Sequence, residues 1–269
     1  MRDLSRLEPR IIPEPPIPRQ LAEQACTLPE GPLLLVSVRN REEALAAIEG
    51  GADIIDIKEP ANGPLGAASA TMRRTIAAAC AERAPRALIS AAAGELAERG
   101  SPSGWEAVEG IAFHKLGLSG CVSLHWKASL EQWAAGLRDR EWPSSLVPVA
   151  YADHPQAGSP PPLEVLGAAR DLGIDLILVD THDKSRATLR ACMEDEAIAR
   201  LIEEGRRRGV RVAFAGSLSR TDLLELAPLG ALALGVRGAA CADSRRDGAV
   251  SRERVRELAA ACHRRVLSR

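Results

Sequence analysis

A (β/α)8 barrel preceded by a proline-rich N-terminal extension is the α/β fold that this chain of 269 residues predicts, and three observations predict it. Short apolar runs alternate with helical stretches eight times over, which implies parallel strands joined by right-handed crossovers. Roughly 250 residues of that alternation close most economically into a barrel. A doubly wound open sheet is the runner-up, but no G-x-G-x-x-G opens the first strand-to-helix turn, and glycine loops follow the last two strands instead.

Taken in order, residues 1–32 carry Pro9, Pro13, Pro15, Pro16, Pro18, Pro29 and Pro32, a density that forbids continuous helix and reads as an extension with at most a turn or two near Gln20–Ala25. The barrel domain is expected over residues 33–269. Its first strand is Leu33–Val38, followed by Asn40 as a helix N-cap and an alanine-rich helix ending at Gly50-Gly51. The second strand is Asp53–Lys58, then a loop with Gly63-Pro64-Leu65-Gly66 and a helix over about Ser69–Arg83. Ala87–Ala92 makes the third, leading through Gly94 to a helical stretch near Trp105–Glu109. Ile111–Gly117 is the fourth, with a helix over about Leu130–Arg138, and Val147–Tyr151 the fifth, with a helix opened by Pro160-Pro161-Pro162 and stopped at Gly173. The sixth strand, Leu176–Asp180, precedes Thr181-His182-Asp183-Lys184 and a helix ending at Gly209; Val210–Ala215, a helix over Arg220–Ala227, Leu232–Val236 and an amphipathic helix over Val255–Val266 complete the pattern.

Composition excludes several functions. A net charge of -1 and 3% aromatic residues supply neither the basic surface nor the stacking platforms of a nucleic-acid binder. No stretch is long and apolar enough to span a bilayer, and no signal peptide precedes the barrel, so a cytoplasmic protein is expected. Six scattered cysteines without a C-x-x-C pair, and five histidines without ligand spacing, point away from a metal site. The expected partners are a small-molecule substrate and further copies of the chain in a homo-oligomer.

The chemistry is concentrated in few residues. Among 35 basic residues only Lys58, Lys115, Lys127 and Lys184 are lysine. An amine retained against that arginine bias has a use arginine cannot serve, because only an amine can lose its proton near neutral pH and attack a carbonyl. Lys58 ends the second strand, Lys115 lies near the end of the fourth, and Lys184 follows Asp180 at the end of the sixth. In a barrel those ends share one face, where active sites lie. Alternation puts Asp56 and Lys58 on one side of their strand, and Ile55 and Ile57 on the other. Clustered ammonium groups and burial lower a lysine pKa, so one of the three becomes a neutral nucleophile able to form a Schiff base, with Asp56 and Asp180 as proton carriers or positioning charges. Ordinary Asp56–Lys58 and Asp180–Lys184 ion pairs at a barrel rim are the alternative. Gly216 and Ser217 after the seventh strand, with Arg237 and Gly238 after the eighth, are where a substrate phosphate can meet free backbone N–H groups and a guanidinium, unless the glycines merely make tight turns.

With these residues in view, the chain resembles the (5-formylfuran-3-yl)methyl phosphate synthase family over about Leu33–Val266. The carrying segments are Gly50–Lys58 with Gly63–Gly66, Lys115-Leu116-Gly117, Tyr151-Ala152-Asp153, Leu178–Thr181 with Lys184, Ala215-Gly216-Ser217, and Gly235–Cys241. It departs from the family pattern in its extension, at Gly94-Glu95 in place of Gly-Asp, and in the glycine-poor Cys241–Arg245. The resemblance implies a lyase-type condensation of two glyceraldehyde 3-phosphate molecules, with loss of phosphate and water, toward methanofuran-type one-carbon cofactors. It implies no metal or organic cofactor. Lys58 is then the Schiff-base lysine, Lys115 and Lys184 assisting amines, and Asp56 and Asp180 acid/base partners. Another lysine-dependent aldolase or isomerase acting on a sugar phosphate, and a catalytically silent barrel binding a phosphorylated metabolite, are the alternative functions.

Overall fold

Each apolar run forms a strand, and the strands pair in the order in which the chain presents them. The computed structural model describes residues 31–139, 144–186 and 188–263. Its strands are β1 (Leu33–Val38), β2 (Ile54–Ile57), β3 (Leu88–Glu95), β4 (Phe113–Gly117), β5 (Ser145–Tyr151), β6 (Leu176–Asp180), β7 (Arg211–Phe214) and β8 (Ala233–Val236). All neighbours are parallel, and β8 returns to β1 through Leu34↔Leu234 and Val36↔Val236, which closes the barrel. Residues 1–30, with the turn expected at Gln20–Ala25, and residues 264–269 lie outside the described residues.

The helices are α1 (Arg41–Gly50), α2 (Ala70–Arg83), α3 (Leu96–Arg99), α4 (Trp126–Arg138), α5 (His154–Ala157), α6 (Pro162–Asp171), α7 (Leu189–Cys192), α8 (Asp195–Arg208), α9 (Arg220–Leu226) and α10 (Arg252–Cys262). Local chemistry sets their ends. The Asn40 side chain accepts the Glu43 N–H at the start of α1, and Gly51 ends it at φ 93°, a left-handed position that glycine takes without a Cβ penalty. The helix expected near Trp105–Glu109 does not form. That segment lies between Gly104 and Gly110, both at positive φ, and buries Trp105 and Val108 against the outer core while the Arg73 guanidinium stacks on the indole at 3.9 Å. Side-chain burial outweighs helix propensity there.

Alternation along the strands sorts the core into two shells. Leu33, Leu35, Ile54, Phe113, Val149 and Leu178 fill the barrel interior. Leu34, Val36, Ile55, Ile57 and Val179 face outward under the helices. Asp56 and Lys58 therefore follow Ile54 on the inner side, as the sequence predicts. At the opposite end the Asp53 carboxylate accepts the Leu34 N–H and pairs with His263 at 2.7 Å, which ties β2 to the residue after α10.

Candidate active site

The C-terminal ends of β2, β4 and β6 bring the predicted residues together. Asp56 sits between Ser37 of β1 and Ser90 of β3, its partners in register. Both serine hydroxyls donate to its carboxylate, at 2.8 and 2.7 Å, and Lys115 Nζ closes a third contact at 2.6 Å. Asp180 accepts from its neighbour's Thr181 N–H at 2.8 Å and from Lys184, which also donates to Thr181 Oγ1 at 3.3 Å. Both carboxylates are buried. Burial opposes their ionisation, but Lys115 and Lys58 outweigh it at Asp56, and Lys184 and Lys58 at Asp180, so both lie below the usual carboxylate range.

Lys58 is different. It is buried, 6% exposed, and among the described residues its amine makes no hydrogen bond and no ion pair. Of the two ion pairs held as the alternative reading, Asp180–Lys184 forms and Asp56–Lys58 does not: the Asp56 carboxylate is taken by Lys115 from β4. Burial and the Lys115 ammonium push the Lys58 pKa down to about 7 from the usual 10.5, against the opposing pull of Asp56 and Asp180. Burial also lowers Lys184, with Asp180 opposing. Lys127, the fourth lysine, is on the surface in an exposed pair with Glu164.

These groups line a cavity of about 460 Å3 whose far wall is made by the loops after β7 and β8. Gly216 adopts φ 119° and Ser217 φ 54°, and a Cβ at Gly216 would press on Thr181 and Leu189 at 3.1–3.2 Å. The N–H groups of Gly216, Ser217 and Gly238 donate to no protein acceptor among the described residues. Arg237 does not join them. Its five N–H groups are consumed by Glu43 (2.5 and 3.0 Å) and by the carbonyls of Ser37, Gly248 and Arg246. A direct bond from Arg237 to a phosphate is thus corrected, because the guanidinium has no donor left to offer. Arg246, which sequence reasoning missed, lines the same cavity half-buried, and its guanidinium makes no hydrogen bond or ion pair among the described residues. Burial lowers its pKa. In the sequence nothing separates it from the adjacent Arg245, which is exposed and paired with Asp247.

Tyr151 and Asp153, noted in the sequence near the end of the fifth strand, take up distinct places. The Asp153 carboxylate accepts the His182 and Asp183 N–H groups and so holds the loop that carries Lys184. The Tyr151 hydroxyl donates to Glu95 at 2.5 Å. Among the described residues no group of three or more histidines, cysteines or acids is arranged to hold a metal ion, and no helix is long and apolar enough to cross a membrane.

Fold and site together define a (β/α)8-barrel enzyme built around a buried lysine–aspartate cluster. Solved barrels share the fold: tryptophan synthase from M. tuberculosis superposes with a TM-score of 0.59 at 14% identity over 89% of this chain and 96% of that one. A 3-hexulose-6-phosphate synthase superposes with a TM-score of 0.54 at 15% identity, over 85% and 99%. Sequence is more specific. The profile of the 4-HFC-P synthase family matches residues 34–259, and the chain belongs to that family. Proteins named (5-formylfuran-3-yl)methyl phosphate synthase are 35% identical in Methanothermobacter thermautotrophicus, over 84% of this chain and 97% of that one, and 35% identical in Methanocaldococcus jannaschii, over 86% and 99%.

Proposed function

We propose that the chain condenses two molecules of glyceraldehyde 3-phosphate to (5-formylfuran-3-yl)methyl phosphate through an imine on Lys58. The observation that carries this reading is the unpartnered Lys58 amine, held near a pKa of about 7 in a cluster with two lysines and two aspartates. A free amine at neutral pH is what attack on an aldehyde requires.

Lys58 attacks the aldehyde carbon of one substrate, and water leaves with a proton from a neighbouring ammonium, Lys115 or Lys184. The iminium acidifies the adjacent C–H, whose proton passes to Asp56 or Asp180, both anionic. The resulting enamine expels phosphate from its C3, and the enol so formed adds through that carbon to the C2 carbonyl of the second molecule, isomerised to its ketose. Elimination and ring closure follow, and imine hydrolysis frees Lys58. Six carbons enter and six leave, so the balance releases one orthophosphate and two waters, the chemistry of a carbon-oxygen lyase. Every step uses side chains, and no metal or organic cofactor enters it. Substrate phosphate is held by the free N–H groups of Gly216, Ser217 and Gly238, with Arg246 supplying the charge first sought at Arg237. Five described cysteines are all free, which supports a reducing, cytoplasmic setting. Assembly as a homo-oligomer belongs to the same proposal.

Borohydride reduction in the presence of glyceraldehyde 3-phosphate should add the mass of the reduced adduct to Lys58, and turnover should release orthophosphate with an ultraviolet-absorbing furan aldehyde. Labelling without that absorbance would indicate another aldolase or isomerase reaction. No labelled lysine would leave a phosphometabolite-binding barrel.

A further inference from the structure

A further buried carboxyl, Glu95, ends β3 between the strands that carry Lys58 and Lys115, and the reaction steps above do not use it. Between Ala92 and Glu95 the β3–β4 register slips: Ala92 faces Lys115, but Glu95 faces Gly117, so three steps along β3 match two along β4. Gly94 takes φ 96° to make this bulge. Bulges at strand ends re-aim side chains, and this one turns the Glu95 carboxyl inward over Gly117. A Cβ at residue 117 would collide with both carboxyl oxygens, so the pocket for this acid exists only because residue 117 is glycine.

The carboxyl is held tightly, and among the described residues it makes no ion pair. Its Oε1 accepts the Tyr151 hydroxyl at 2.5 Å, and its Oε2 accepts the Ser119 N–H at 3.0 Å. The charged and titratable groups around the pair are His182, whose ring meets Tyr151 edge-on at 5.2 Å, Glu98 on α3, and Asp153 and Asp180 behind Tyr151. Burial, only partly offset by the Tyr151 and Ser119 hydrogen bonds, raises the Glu95 pKa. Glu95 lines its own cavity of about 590 Å3 under the loops after β2 and β4. A further cavity of about 690 Å3 shares Gly63, Pro64 and His182 with that one, and Lys184 and Arg246 with the lysine-lined cavity. The three form a trough across the mouth, with the amines toward one end and the acid toward the other.

We propose that Glu95 is the general acid for the second substrate molecule, and that Tyr151 and the Gly94 bulge are the positioning elements that hold it. The inference rests on the condensation proposed above. As the enol carbon bonds to the carbonyl carbon of the second molecule, the carbonyl π bond breaks and its oxygen takes the proton of the Glu95 carboxyl. The carboxylate left behind recovers a proton from the C–H bond that breaks when the adduct later loses water, and the departing hydroxyl takes the proton that the enol O–H gave up to Asp56 or Asp180 as the C–C bond formed. The lysines serve the first carbonyl; Glu95 serves the second. An alkoxide formed in a buried site is costly, which is why a neutral acid is needed there.

The test separates the two halves of the reaction. Glu95→Gln should trap glyceraldehyde 3-phosphate on Lys58 under borohydride as the wild type does, while kcat for furan formation falls by about 10²–10⁴-fold, the range of a lost general acid. Tyr151→Phe removes a hydrogen bond that lowers the Glu95 pKa, so the alkaline limb of kcat should move to higher pH, and Glu95→Asp should restore part of the lost rate. The proposal is overturned if Glu95→Gln makes furan within about threefold of the wild-type rate, or if a folded Glu95→Gln loses trapping together with furan. Should Glu95→Gln not fold, Tyr151→Phe decides, and an unmoved limb overturns the proposal. Failure of the wild type itself to trap an imine would sink the condensation reading as well, and is told apart because no variant is involved.

Discussion

Two buried charge networks sit at the same end of this barrel and behave oppositely. Arg237 and Glu43 join β8 to α1, and each guanidinium N–H meets an acceptor. Although burial opposes its ionisation, Glu43 is held below the usual carboxylate range by Arg237. The network on β2, β4 and β6 offers two carboxylates to three amines, and Lys58 is left over. A fully satisfied buried pair holds structure, and removing one partner is expensive; an over-supplied one keeps a group in its reactive form at a cost to the fold.

The largest test of that contrast is Lys58→Arg. It keeps a cation in place but cannot form an imine, so kcat/KM for furan formation should fall by roughly 10⁴-fold or more, with borohydride labelling gone. Substantial activity would refute the nucleophile assignment.

Stability should divide the two networks next. Arg237→Met leaves the buried Glu43 carboxylate with only the partly exposed Arg39 as its cation, and denaturant unfolding at pH 7 should show a loss toward the lower end of about 3–5 kcal/mol. Lys58→Met removes the surplus charge and leaves two amines for two carboxylates, so it should raise stability by roughly 1–4 kcal/mol while abolishing activity. The sign follows from linkage. Folding lowers the Lys58 pKa from 10.5 to about 7, so the penalty is fully present below about pH 7 and disappears as pH rises toward 10.5. Wild-type stability should therefore climb across that window relative to Lys58→Met. A Lys58→Met protein less stable than wild type at pH 7 would show that the cluster is structural after all.

The smallest effect is a shift along the pH axis. The Lys115 ammonium lowers the Lys58 pKa and the Asp56 carboxylate raises it. In Lys115→Met the ascending limb of imine trapping should move above pH 7, and in Asp56→Asn it should move below the wild-type position. Limbs that do not separate in these directions would remove Lys58 as the titrating group.

The grouping of residues at the candidate site was readable from residue order. Lys58, Lys115, Lys184, Asp56 and Asp180 were placed together because strand alternation and barrel closure leave them only one face to share. Arg237 was misread, since its partner Glu43 lies 194 residues away and the pairing appears only when β8 packs beside α1. Glu95 escaped because strict alternation does not anticipate a bulge, and the glycine that makes room for its carboxyl is on a different strand. Arg246 and Arg245 are adjacent in sequence, yet one faces the cavity and the other solvent.

By itself, the order of residues determined the eight-fold alternation, the two shells of the barrel and the face on which the lysines lie, because these follow from periods of two and 3.6 residues that any short window contains. Tertiary structure alone decided who pairs with whom: Lys115 with Asp56, Arg237 with Glu43, Glu95 with Tyr151, and Lys58 with none of the described residues. Charge interactions depend on distance and burial, and both come into being only when strands remote in sequence close into one barrel.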